Sequence, residues 1–241
     1  MGRSDSTTMF EVDGVRLAAR WLGRREQPAD ARLLFAVHGT GGCGDELMAE
    51  LRPSLDVIER PTLVVCPSFE TPYQYLVDDL GTRVSGLMSG LRERFDLAAG
   101  SVLFGFSGGA QFVHRYALRY PDGVSGCVAL AAGCWTLLSG QAIGMQVDEG
   151  WFERTPWSMP EVLRSRDHAV RLTDRHRSTY WVVGCGSEDH PSRIESAERF
   201  RKSLVGAGLL AKGCTWSGGH DLPGAEHLGP VLKQVLSDAC Q

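Results

Sequence analysis

Ser107 lies in the stretch Gly105-Phe106-Ser107-Gly108-Gly109, between an apolar run, Val102-Leu103-Phe104, and a helix-like run from Ala110 to Tyr120. A serine in a tight strand-to-helix turn sits at a strained backbone angle with its hydroxyl exposed. Strand and helix approach closely there, so small neighbours are needed, and Gly108, Gly109 and Ala110 supply them. The turn also presents a backbone N–H beside the hydroxyl, at a helix N-terminus that favours developing negative charge. Acyl transfer to a nucleophilic oxygen needs these features together. The plainer reading is a glycine-rich turn with an incidental serine, and it loses ground as partners for Ser107 are found.

A serine hydroxyl is a weak nucleophile at neutral pH and needs a base, which in turn needs an orienting acid. In open parallel sheets such groups gather beyond the carboxyl ends of the strands. After the strand that ends near Gly184 comes Cys185-Gly186-Ser187-Glu188-Asp189-His190, and after the last strand comes Ser217-Gly218-Gly219-His220-Asp221. The predicted order is therefore Ser107, an acid, then His220. Of the seven histidines, only His220 and His227 follow the last strand, and His227 falls on the final helix. His114 is two turns into the helix behind Ser107 and points away, while His38 braces a glycine turn. For the acid, the turn Gly186-x-x-Asp189 leaves room to aim a short carboxylate at an imidazole, which favours Asp189. Glu188 is the alternative, and Asp148 is more remote. Asp221 is too close in sequence to His220 to reach its ring.

A developing oxyanion needs two convergent N–H donors. Gly108 is one. The turn His38-Gly39-Thr40-Gly41-Gly42 should supply the other, from Thr40 or, failing that, Gly41. Gly41 and Phe106 flank the two turns and are read as substrate contacts. Trp135, Trp151, Phe152 and Trp157 either line an apolar acyl pocket or anchor their segment to the core, and the sequence leaves both open. Tyr73 and Tyr75 lie in another loop on the same side. Residues 164–177 hold five arginines against two aspartates. They form either a solvated helical face or an attraction for anionic substrates.

These groups need a scaffold. Met9–Val12 and Val15–Trp21, around Asp13-Gly14, read as a hairpin. Strands follow at Leu33–Val37, Thr62–Cys66, Val102–Phe104, Val124–Ala132, Thr179–Val183 and Lys212–Trp216. Helices are predicted from about Asp45, over Leu76–Phe95 and from Ala110 to before Pro121. Two more are predicted over Ile194–Val205 and Glu226–Asp238. Alternation of this kind gives a mostly parallel sheet covered on both faces, with the hairpin as its antiparallel edge. Residues 136–178 lack a clear strand and are read as a small lid on a single domain spanning residues 1–241.

Composition bounds the rest. The chain has 241 residues, 43% of them hydrophobic, with 25 basic and 29 acidic side chains and a net charge of −4. That balance gives no electrostatic case for nucleic acid or an anionic membrane. No apolar stretch is long enough to span a bilayer, and the first residues lack the apolar core of a secretory signal. Seven scattered cysteines without a Cys-x-x-Cys pair read as reduced thiols in a cytoplasmic protein, with Cys43 the most exposed. Nothing calls for a metal or an organic cofactor.

This set of residues resembles the α/β-hydrolase superfamily. The resemblance rests on the His38–Gly42 turn, on Gly105–Gly109, and on Asp189 and His220 in that order, and it covers nearly the whole chain. It implies an eight-stranded, mostly parallel sheet with a small lid. It also implies hydrolysis of a small-molecule ester or thioester by Ser107, His220 and Asp189. Within the superfamily the chain is similar to small serine esterases and to intracellular relatives of polyhydroxyalkanoate depolymerases. Serine as nucleophile departs from the cysteine of dienelactone hydrolases. The fold also hosts lyases, cyclases and inert binding proteins, so those remain alternatives.

Overall fold

The computed structural model describes residues 6–23, 30–69, 80–145 and 169–238. Eight strands form one sheet in the order β1-β2-β4-β3-β5-β6-β9-β10. They are β1 (Thr8–Val12), β2 (Val15–Leu22), β3 (Arg32–Val37), β4 (Thr62–Ser68), β5 (Ser101–Phe106), β6 (Val124–Leu130), β9 (Tyr180–Gly186) and β10 (Ala211–Trp216). Only the β1/β2 and β2/β4 pairings are antiparallel; every pairing from β4 to β10 is parallel. Every residue of β3 and of β9 is buried. A strand covered on both faces needs a continuous apolar run rather than alternation, and Leu33–Val37 is such a run.

Helices α1 (Gly44–Leu55), α2 (Leu80–Phe95), α3 (Gly108–Arg119), α4 (Asp174–Ser178), α5 (Pro191–Gly206) and α6 (Ala225–Asp238) cover the sheet. α1 packs against α6. α2 meets α3 through the Ser85 and Tyr116 hydroxyls, 2.7 Å apart. α3 meets α5 through the rings of His114 and Phe200, 5.1 Å between centroids. The predicted elements are all present, with ends shifted by a few residues. Helix α2 is described from Leu80, so the predicted turn at 76–79 lies outside the described residues.

The stretch read as a lid differs from expectation at both described ends. Trp135–Thr136 (β7) and Ala142–Ile143 (β8) pair as a two-stranded hairpin, and Leu137 and Ile143 are buried in the core. The returning chain is tied to this hairpin by the Val170 N–H on the Leu138 carbonyl, 2.7 Å. Both ends therefore belong to the packed body. Residues 146–168, with Asp148, Trp151, Phe152, Trp157, Arg164 and Arg166, lie outside the described residues, as do Tyr73 and Tyr75. No described helix is long and apolar enough to cross a membrane.

Candidate active site

Strand β5 ends at Phe106 and α3 begins at Gly108, so Ser107 must turn the chain alone. It does so at φ 55°, ψ −116°, a left-handed backbone value that costs a non-glycine residue on the order of 1–3 kcal/mol. Neighbouring strands hold it there. The Ser107 N–H donates to the Leu130 carbonyl at the end of β6 (2.9 Å), and the Ser107 carbonyl accepts from Gln111 N–H (3.1 Å). A side chain at Gly109 would collide with the carbonyls of Val37 and His38, which is why α3 can pass so close to the end of β3. The sequence expectation of small residues at this crossing is met at that position.

The other two groups arrive on the loops after β9 and β10. These loops are laced together: Ser187 N–H donates to the Trp216 carbonyl (2.8 Å) and Glu188 N–H to the Gly218 carbonyl (2.9 Å). Gly186 lies directly under the carbonyls of Gly218 and Gly219, leaving no room for a side chain. The lacing sets the His220 ring beside Asp189. His220 Nδ1 is 3.0 Å from Asp189 Oδ2, and His220 Nε2 is 2.9 Å from Ser107 Oγ. A carboxylate can only accept, so Nδ1 carries the proton, and Nε2 accepts from the Ser107 hydroxyl. Phe106 packs its ring 5.0 Å from that of His220.

Asp189 is almost fully enclosed. Burial opposes its charge, but hydrogen bonds from His220, the His190 N–H and Arg193 outweigh that effect and hold its carboxyl below the usual carboxylate range. It is therefore ionised at neutral pH. Arg193, in the first turn of α5, forms an ion pair with Asp189 Oδ1. The Cys185 thiol donates to Asp189 Oδ2 at 3.3 Å, and burial followed by the nearby carboxylate pushes that thiol up to about 12. Glu188, the alternative acid, is exposed. Neither Arg193 nor Cys185 was singled out from sequence. Arg193 stands four residues after Asp189, a helical spacing at which opposite charges meet, and that spacing was the available signal.

The glycine turn after β3 lies against the same serine. A Cβ at Gly39 would be 3.6 Å from Ser107 Cβ. Gly42 N–H closes the turn on the Gly39 carbonyl (3.2 Å), which leaves Thr40 and Gly41 exposed at its tip, Gly41 at φ 74°. His38 braces the turn as expected. Its Nδ1–H donates to the Gly39 carbonyl (2.7 Å), and its Nε2 accepts from Phe69 N–H (3.3 Å). Burial keeps this imidazole less basic than usual, in the neutral form both bonds require. Gly108, the first residue of α3, is buried beside Ser107.

The architecture is shared widely. The fold is that of the α/β-hydrolases. A substrate-bound fluorophosphonate-binding serine hydrolase F of Staphylococcus aureus aligns over 98% of both chains with TM-score 0.67 and 12% identity. An S-formylglutathione hydrolase from Agrobacterium tumefaciens aligns over 96% of this chain and 97% of its own, with TM-score 0.64 and 12% identity. Est1E from Butyrivibrio proteoclasticus gives 97% and 98%, TM-score 0.63 and 16% identity. No family model matches the chain, and no curated protein matches it. In this α/β-hydrolase scaffold, two sequence expectations need correction or limits. Trp135 is fully buried, stacked on Phe200 at 4.8 Å between centroids and against His114 at 5.0 Å, so it is a core anchor. Arg171 lines a cavity of about 520 Å³ with Arg115, Arg119 and His176, at the far end of α3 from Ser107, roughly 16 Å along the helix. Arg175 faces Asp122 at 3.7 Å, with both side chains largely in solvent, which fits the solvated-face reading. Described cysteines are free thiols; Cys43 is half-buried and the other five are buried.

Proposed function

We propose that this protein is a serine hydrolase that cleaves a carboxylic ester or thioester of a small to medium substrate through an acyl-enzyme on Ser107. The observation that carries the reading is the hydrogen-bonded chain from Ser107 Oγ through His220 to an ionised Asp189, centred on a strained strand-to-helix turn. His220 takes the hydroxyl proton as Ser107 Oγ attacks the acyl carbonyl. Asp189 stabilises the imidazolium that forms. The backbone N–H groups of Gly108 and Thr40, with Gly41 beside Thr40, receive the oxyanion. The imidazolium then protonates the leaving alcohol or thiol. Water, deprotonated by the same imidazole, releases the acid and restores the serine. The names of the structural neighbours, among them esterases and a thioesterase domain, support ester or thioester chemistry.

The deciding experiment is labelling with a fluorophosphonate, followed by mass spectrometry of the modified peptide. Modification at Ser107 and its loss in Ser107→Ala are expected, with turnover of aryl and thioesters falling on the order of 10⁴ to 10⁶-fold in a folded variant. An unmodified Ser107, or a fully active Ser107→Ala, would overturn the reading. Product analysis separates hydrolysis, which consumes water, from lyase or cyclase chemistry, which does not.

A further inference from the structure

The hydrolase reading explains Ser107, His220 and Asp189, but not why a buried arginine is spent on the back of the acid. Asp189 divides its bonds by oxygen. Oδ2 receives His220 and the Cys185 thiol, while Oδ1 receives the His190 N–H (2.6 Å) and Arg193 Nη1. The side chains of Arg193 and Asp189 are 10% and 2% exposed, so this is a buried ion pair. Such pairs are poor stabilisers, because desolvation offsets most of the attraction. Arg193 also leaves its Nε buried with no hydrogen-bond partner among the described residues, an added cost. Stability is therefore a weak reason for the arginine. Its geometric effect is clear: with Oδ1 fastened by two donors from the start of α5, the carboxylate cannot rotate away from His220.

We propose that Arg193 is a positioning residue of the Ser107 site, locking Asp189 in the orientation that faces His220. The inference rests on the hydrolase reading above. The groups facing this pair among the described residues are Ser107 and Phe106 from the β5–α3 turn, Cys185 from β9, and the His190 backbone and Arg193 from α5. Glu188 and Asp221, next to the pair in sequence, are exposed.

The test is the limiting rate of fluorophosphonate labelling at Ser107, with kcat and KM for an ester that the wild type turns over, in protein shown by thermal melting to be folded. Arg193→Gln keeps a neutral donor for Asp189 but not the guanidinium; its limiting labelling rate and kcat should fall about tenfold with KM unchanged. Arg193→Lys keeps the charge but not the planar fork. Its limiting rate should also fall about tenfold, again with KM unchanged. A loss that appears in KM and not in kcat overturns the positioning role. A wild-type limiting rate in Arg193→Lys overturns the orienting role, even if Arg193→Gln fails to fold. A wild-type protein that is never labelled counts against the hydrolase reading itself, whereas a labelled wild type with unaltered variants counts against Arg193 alone.

Discussion

His38, His114, His176 and His220 each have both ring nitrogens engaged, and of these only His220 bridges a carboxylate and a serine hydroxyl. His114, inside α3, donates from Nδ1 to the Ala110 carbonyl (2.7 Å) and accepts at Nε2 from Thr136 N–H (3.0 Å). His220, at the carboxyl end of the sheet, has a carboxylate on one nitrogen and a hydroxyl on the other. A carbonyl and an amide fix one neutral tautomer and offer nothing to gain from a proton. Full burial, then the adjacent Arg115, push the His114 imidazole well below its ordinary range. A carboxylate does the reverse, stabilising the charged ring that a base must become. What a histidine faces decides its role; the number of its bonds does not.

The contrast can be broken at either end. The largest effect is expected from Asp189→Asn, which holds a shape like that of aspartate but removes the charge and the tautomer control. Ester turnover should fall by roughly 10⁴-fold, and a loss under tenfold would mean His220 does not depend on its acid. Next comes Trp135→Ala, which removes the ring packed on His114. It should cost about 3–5 kcal/mol in denaturant unfolding and leave KM for ester substrates unchanged; a changed KM with intact stability would return Trp135 to the substrate pocket. Thr40→Pro deletes one backbone donor, and kcat should drop by about 10²–10³-fold with little change in KM. The smallest effect is on stability against pH. His114 is neutral when folded but takes a proton near pH 6.5 when unfolded, so the unfolded state binds more protons below that pH. Its contribution is complete above about pH 6.5 and is lost on acidification, by about 1.4 kcal/mol per unit. In His114→Gln the slope of unfolding free energy between about pH 6 and 5 should fall by that amount.

Much of the site was legible because its chemistry depends on where strands end. Ser107 was marked by an apolar run on one side and a helical run on the other, and Asp189 and His220 by following the fifth and the sixth parallel segments. His114 was set aside by helical spacing alone, and its bonds to Ala110 and Thr136 agree. The β7/β8 hairpin was missed because two-residue strands carry no period to detect. Helix α4 was missed because five residues held by a Thr173–His176 capping box show no apolar stripe. Trp135 was ambiguous for a related reason: an aromatic beside an irregular stretch reads the same whether it faces a cavity or Phe200. Cys185 and Arg193 were hidden because their importance lies in a shared partner, which local pattern does not reveal.

The position of β10 has a temporal consequence. It is an edge strand of the sheet, paired among the described residues with β9, and the loop after it delivers the imidazole last of the three groups in chain order. During synthesis Ser107, Asp189 and Arg193 emerge well before it. On the hydrolase reading proposed above, Ser107 therefore lacks its base in a nascent chain until β10 docks, and arming of the hydroxyl coincides with the pairing of that strand.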